Sequence, residues 1–151
     1  MKNCIAIDIE TSGLDAERDF VIKVMATKVK AGEVIEKFSS FVFCPEKLSS
    51  AVVELTGISD ADLEHAPTLD AVMEQFELFR KGLPLVAYNA EFAKKFLKKY
   101  RFIGDIEDVA TISKNLHGMK DYQLKTIARY FNIPYTDDDD SETIAKIYLK
   151  F

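Results

Sequence analysis

The chain opens on a strict alternation. In IAIDIETSGL (5–14), Ile5, Ile7 and Ile9 share one side of an extended strand, while Cys4, Ala6, Asp8 and Glu10 share the other. The next stretch, FVIKVMATKVKAGEVIEKFSSFVF (20–43), holds two β-branched and aromatic runs that meet at Lys30-Ala31-Gly32-Glu33, which predicts a β-hairpin. Three such strands in succession predict an antiparallel meander. Then the period lengthens. Ser59 is placed to cap a short turn through Leu63, and Thr68 to cap a helix with Leu69, Val72, Met73, Phe76 and Phe79 on one face, ended by Gly82. LVAY (85–88), after Pro84, predicts a short buried strand, and Asn89 opens the next helix. Further helices are predicted around 108–116 and 122–131. The last runs from Asp140 to the end, with Ile144, Ile147, Tyr148 and Phe151 at helical spacing. There is no repeat, no linker, and no low-complexity segment beyond DDDD (137–140). The pattern is that of one α/β domain over residues 1–151.

Composition narrows the class. The 151 residues are 48% hydrophobic and 30% charged, values of a soluble globular chain large enough for one real core. No apolar run approaches the ~20 residues that span a bilayer, so no membrane partner is expected. The first apolar run is broken by Asp8 and Glu10, which argues against a signal peptide and makes cytoplasmic residence the default. Cys4 and Cys44 form no CxxC pair, so neither a disulfide framework nor a zinc site is indicated. Net charge is −5 and the pI is near 5.1, so nothing global attracts nucleic acid. A site made of carboxylates is acidic only until it holds a metal ion, and then presents positive charge to a phosphate.

Asp8 and Glu10 supply such a site. Two like charges on one face of so apolar a strand repel, and half-burying them costs more unless something positive lies between. A divalent cation is the functional reading; a strand end emerging into water is the plain one. Asp140 lies four residues before Ile144 and so faces the sheet with the apolar stripe of the last helix. Asp137, Asp138 and Asp139 read as a solvated loop.

These residues carry a resemblance. DIETSGL (8–14), ELTGIS (54–59) before an Ala-Pro-Thr turn, AYNAEFAKKFL (87–97) and an acid opening the last helix together resemble the DEDD family of 3′–5′ exonucleases, the group of the proofreading epsilon subunit of bacterial DNA polymerase III and of ribonuclease T. The likeness runs through essentially the whole chain in the expected order. It implies a ribonuclease H-like mixed sheet flanked by helices, and hydrolysis of a terminal phosphodiester with two metal ions, magnesium or manganese. By resemblance, Asp8 bridges both metals, Glu10 binds the first, and Asp140 completes that first site. Thr11, Gly13 and Leu14, with Asn89 and Phe92, match the residues that seat the terminal base and sugar. The ligand so implied is a single-stranded 3′ end of DNA or RNA, with room for a polymerase or other protein partner.

Two positions depart from the family. Where its second motif carries an aspartate after the phenylalanine, this chain has Ala93, on the sheet-facing stripe with Phe96, Leu97 and Tyr100. Where the main branch places a general-base histidine five residues before the last aspartate, this chain has Tyr135. A sister branch uses a tyrosine four residues before, a spacing that Tyr135 and Asp139 also satisfy. His65 and His117 lie outside the family's motifs and read as surface residues. Glu91 sits about 200° around the helix from Ala93 and so points away. Lys94, Lys95, Lys98 and Lys99 form a basic flank, either a plain solvated face or a track for a phosphate backbone. Two functions follow: a metal-dependent exonuclease weakened at one metal site, the second, and at its base, or a non-catalytic module that keeps the fold and binds nucleic acid or a protein.

Overall fold

The computed structural model describes residues 1–100, 104–135 and 139–151. Five strands make one mixed sheet: β1 (Cys4–Thr11), β2 (Val21–Lys30), β3 (Glu33–Phe41), β4 (Leu85–Ala87) and β5 (Ile106–Asp108), in the spatial order β3-β2-β1-β4-β5. The first three form the expected antiparallel meander. Ala31 and Gly32, at φ 52° and 79°, give its tight turn the left-handed backbone that a right-twisted hairpin requires. β4 lies parallel to β1, with Ile5 opposite Leu85, and β5 lies parallel to β4. The strand bearing Asp8 and Glu10 therefore stands at the centre.

Seven helices accompany the sheet among the described residues: α1 (Ser50–Thr56), α2 (Asp60–Leu63), α3 (Leu69–Arg80), α4 (Ala90–Leu97), α5 (Val109–Ser113), α6 (Leu124–Tyr130) and α7 (Asp140–Tyr148). The caps act where the sequence places them. Ser59 and Asp62 close a reciprocal capping box on α2, and Thr68 accepts the Ala71 N–H at the start of α3. None of these helices is long and apolar enough to cross a membrane.

The alternation along β1 sorts the core into two layers. Ile5, Ile7 and Ile9 pack with Val72, Met73 and Phe76 of α3 and with Ala93, Phe96 and Leu97 of α4. On the other face, Cys4, Ala6 and Val86 pack with Leu124 and Ile127 of α6 and with Ile144, Ala145 and Ile147 of α7. Each large side chain so buried contributes roughly 1.5–3 kcal/mol, so both sandwiches are firmly held. The acid face of β1 is thus roofed by α7.

Two elements differ from expectation. The helix expected over 108–116 begins at Val109 and is preceded by β5, whose three residues are too few to show an alternating period. The last helix stops at Tyr148; Phe151 stands beyond it, exposed, its ring 5.7 Å from that of Phe131.

Candidate active site

Asp8 and Glu10 emerge on the α7 side of β1 near the strand's carboxyl end, both partly buried. Burial holds the Asp8 carboxyl well above the usual carboxylate range, and the charges of Asp140, Glu10 and Asp139 push it further the same way. The Glu10 carboxyl is raised too, by burial and then by Asp140, with Lys23 opposing. Lys23 is its direct cross-strand neighbour on β2. The first residue of α7 thus faces the two acids of β1, as the helical register requires. The three carboxylates share one electrostatic site.

They do not close into a ready-made ion cage. Among the described residues, no three histidine, cysteine or acid side chains are gathered tightly enough to hold an ion. The donor set itself fits a hard divalent cation: it consists of carboxylate oxygens, and each neighbour raises the proton affinity of the next.

Asp139 corrects the sequence reading, which assigns it to a solvated loop. It caps α7, accepting the Ser141 N–H at 2.9 Å and the Ser141 hydroxyl at 2.5 Å. Lys37 of β3 lies 3.6 Å from it and also pairs with Glu142. An acid two residues before a serine at a helix start is a cap signal, and the sequence carries it. Asp137 and Asp138 lie outside the described residues.

Tyr135 is half-buried and packs against the α6–α7 core layer, where it lines a cavity with Lys125 and Arg129. Ala93 is 5% exposed and belongs to the layer on the isoleucine face. Glu91 is exposed, as its register demands, and so are His65 and His117.

The residues matched to the terminal base and sugar lie at the end of β1, on the loop after it and on the start of α4. Thr11 Oγ1 donates to the Gly13 carbonyl at 2.6 Å. Gly13 is packed so closely that a Cβ there would lie 2.2 Å from Asp19 Oδ2, the atom that accepts the Asp15 N–H. Leu14 is 86% exposed, a large apolar side chain standing in solvent. It lines a cavity of about 610 Å³ with Asp15, Ala16, Glu17, Lys95 and Lys98. Across from it, Asn89 opens α4 in a left-handed conformation, φ 61°, without using its side chain as a cap. Its backbone N–H donates to Asp108 Oδ1, which also caps α5 through the Ala110 N–H. The sequence carries the cap of Asp108 on α5 but gives no signal of its bond to Asn89, because that partner is 19 residues away. Phe92 stacks at 5.0 Å on Phe96.

A central strand ending in two acids, with a third on the helix that roofs it in a mixed sheet, is the arrangement of the ribonuclease H-like exonuclease fold. The chain belongs to the exonuclease family, whose model it matches over residues 5–148. It is 34% identical over 159 residues to the PolC-type DNA polymerase III of Bacillus subtilis (strain 168), a match covering 97% of this chain and 11% of that one. With the PolC-type DNA polymerase III of Caldanaerobacter subterraneus it shares 32% identity over 157 residues, again 97% of this chain and 11% of the relative. The chain thus spans about a tenth of the length of these curated relatives. Among solved structures it resembles the nuclease domain of 3'hExo, a DEDDh family member bound to rAMP, at a TM-score of 0.81 and 18% identity over 98% of this chain and 90% of that one. Exonuclease X in complex with 5' overhanging duplex DNA gives a TM-score of 0.77 and 18% identity over 97% and 90%. At such identities the likeness establishes the fold.

Proposed function

We propose that this chain is one domain, spanning residues 1–151, that acts as a metal-dependent 3′–5′ exonuclease on nucleic-acid ends with reduced turnover. The observation that carries the reading is the mutual destabilisation of the Asp8 and Glu10 carboxylates by Asp140. Asp8, Glu10 and Asp140 would hold one magnesium or manganese ion, with a second site weak or absent because Ala93 offers no oxygen ligand. When bound, such an ion supplies the positive charge that activates water and steadies the leaving oxygen. Leu14 presents an apolar surface to the terminal base, the Thr11–Gly13 link holds that loop in place, and the Asn89 carboxamide, not engaged as a cap, is available to the nucleotide. By resemblance Tyr135 takes the position of the general base, and a phenol is less suited than an imidazole to take a proton from water at neutral pH. The relatives are polymerases by name, so a polymerase is the protein partner in view.

One observation favours the rival reading of a non-catalytic binding module: Ala93 is nearly buried and belongs to an apolar core layer. The test is degradation of a labelled single strand with manganese by the wild-type chain, Ala93→Asp, Tyr135→His and the double variant, with thermal stability measured beside it. Barely detectable wild-type activity is expected, each ~1.4 kcal/mol of lost barrier stabilisation being tenfold in rate. The double variant should gain more than the two single gains multiplied, since base and metal act as one unit. Fast, processive wild-type degradation overturns the impairment. A double variant that is folded and metal-loaded yet inert establishes the binding module.

A further inference from the structure

The exonuclease reading leaves a basic surface beside α6 and α7 unused. A cavity of about 340 Å³ is lined by Lys125 and Arg129 of α6 and by Asn132, Pro134 and Tyr135. A second, of about 370 Å³, shares Asn132, Ile133 and Pro134 with the first and continues to Gly32, Phe131, Lys146 and Lys150. The two form one groove alongside α7. Among the described residues its lining includes four cations and no acid, in a chain whose net charge is −5. Lys146 is partly neutralised by Glu142 at 3.0 Å, and Arg129 feels the charge of Asp121. Among the described residues, Lys125 and Lys150 find no ion-pair partner, and with Arg129 they are exposed. Tyr135 and Phe131 line the groove, and Phe131 meets the exposed rings of Tyr130 at 4.9 Å and Phe151 at 5.7 Å edge-on.

We propose that this groove carries the phosphate backbone of the substrate strand on the 5′ side of the terminal nucleotide. The inference rests on the exonuclease reading for the nature of the ligand, and on charge complementarity for the place. Phosphates need positive charge and no sequence readout, and exposed rings offer faces on which any base stacks. The distance also suits a strand. α7 carries the chain about 12 Å from Asp140 to Tyr148, and Lys150 lies beyond its end. A dinucleotide, with one phosphodiester, therefore reaches the acids without reaching Lys150.

The test measures binding of 5′-labelled oligothymidylates of two and twelve nucleotides to the full chain, by fluorescence anisotropy at several salt concentrations, with calcium in place of manganese. Wild type should hold the twelve-mer at least tenfold more tightly than the two-mer. In the Lys125→Ala/Arg129→Ala/Lys150→Ala variant that preference should vanish, and the salt slope should fall by about two, at ~0.7 for each phosphate no longer neutralised. Binding of the two-mer should not change. Lys125→Arg/Lys150→Arg should keep wild-type binding, which separates lost charge from lost fold. If wild type binds both lengths equally, or the triple variant keeps its preference, the groove proposal is overturned while the exonuclease reading stands. If neither length binds, both fall. If the triple variant instead dissolves a self-association seen by ultracentrifugation, the groove is a protein contact and the proposal is likewise overturned.

Discussion

Thr27 of β2 and Ser141 of α7 are joined by a hydrogen bond of 2.8 Å, and neither residue has any exposure to solvent. The Ser141 hydroxyl has one proton, and it points to Asp139. Thr27 must therefore be the donor. The bond ties the first turn of α7, and with it Asp140, to the sheet that carries Asp8.

Removing either end has different consequences. Thr27→Val leaves the Ser141–Asp139 cap intact and should cost about 1 kcal/mol. Ser141→Ala strips the cap of its hydroxyl and leaves the Thr27 hydroxyl buried without its partner, so about 1–3 kcal/mol is expected. Chemical denaturation of both variants checks the order, and manganese titration should show the weaker affinity in Ser141→Ala, because the turn that holds Asp140 loosens.

The raised Asp8 carboxyl sets a pH dependence. Its folded pKa lies above its unfolded one, so the folded state binds the extra proton. The resulting contribution favours folding at low pH and is lost as pH rises from about 4 through the folded value. In metal-free protein, Asp8→Asn should therefore raise the melting temperature at pH 8 by several degrees, at roughly 2–4 °C per kcal/mol for a chain of this size. At pH 3.5 the difference should be small. Equal melting temperatures at pH 8 would refute the electrostatic account.

Manganese should reverse that penalty. Calorimetric titration should find about one ion per chain, and saturating metal should stabilise wild type but not Asp8→Asn, in proportion to the logarithm of metal over Kd. Two sites of comparable affinity would show that the chain finds a ligand in place of the one missing at Ala93.

Gly13 has no room for a methyl group. Gly13→Ala forces the Asp19 carboxylate away from the Asp15 N–H and should unsettle the loop that presents Leu14. Weaker binding of a nucleoside monophosphate, with unchanged manganese stoichiometry, is the expected result in paired titrations.

Much of the fold and site is legible in the chain because its signals are local. The alternation of Ile5, Ile7 and Ile9 with Ala6, Asp8 and Glu10 assigns both faces of β1, and the spacing from Asp140 to Ile144 aims the third acid at them. Ser59 and Thr68 announce their helices by short-range hydrogen bonds. What stays hidden depends on distant partners. β5 is a strand only because β4 lies beside it. Asp139 carries a local cap signal to Ser141, but its ion pair with Lys37 does not show, because Lys37 lies about a hundred residues earlier. Ala93 packs against the sheet as its helical spacing predicts, but that it clusters with Ile5, Ile7 and Ile9 depends on partners far away in the chain.

The link between Asp108 and Asn89 couples two parts of the molecule that the chain keeps apart. One carboxylate closes the first turn of α5 and fixes the backbone at the mouth of α4, and it sits at the end of the sheet's edge strand. An edge strand of three residues is the sort of element that frays first. When β5 peels from β4, the clamp on Asn89 goes with it, so the mouth of α4 and the margin of the sheet should open as one cooperative unit. The amide protons of Asn89 and Ala110 should then exchange with solvent at a common rate, one set by the edge of the sheet.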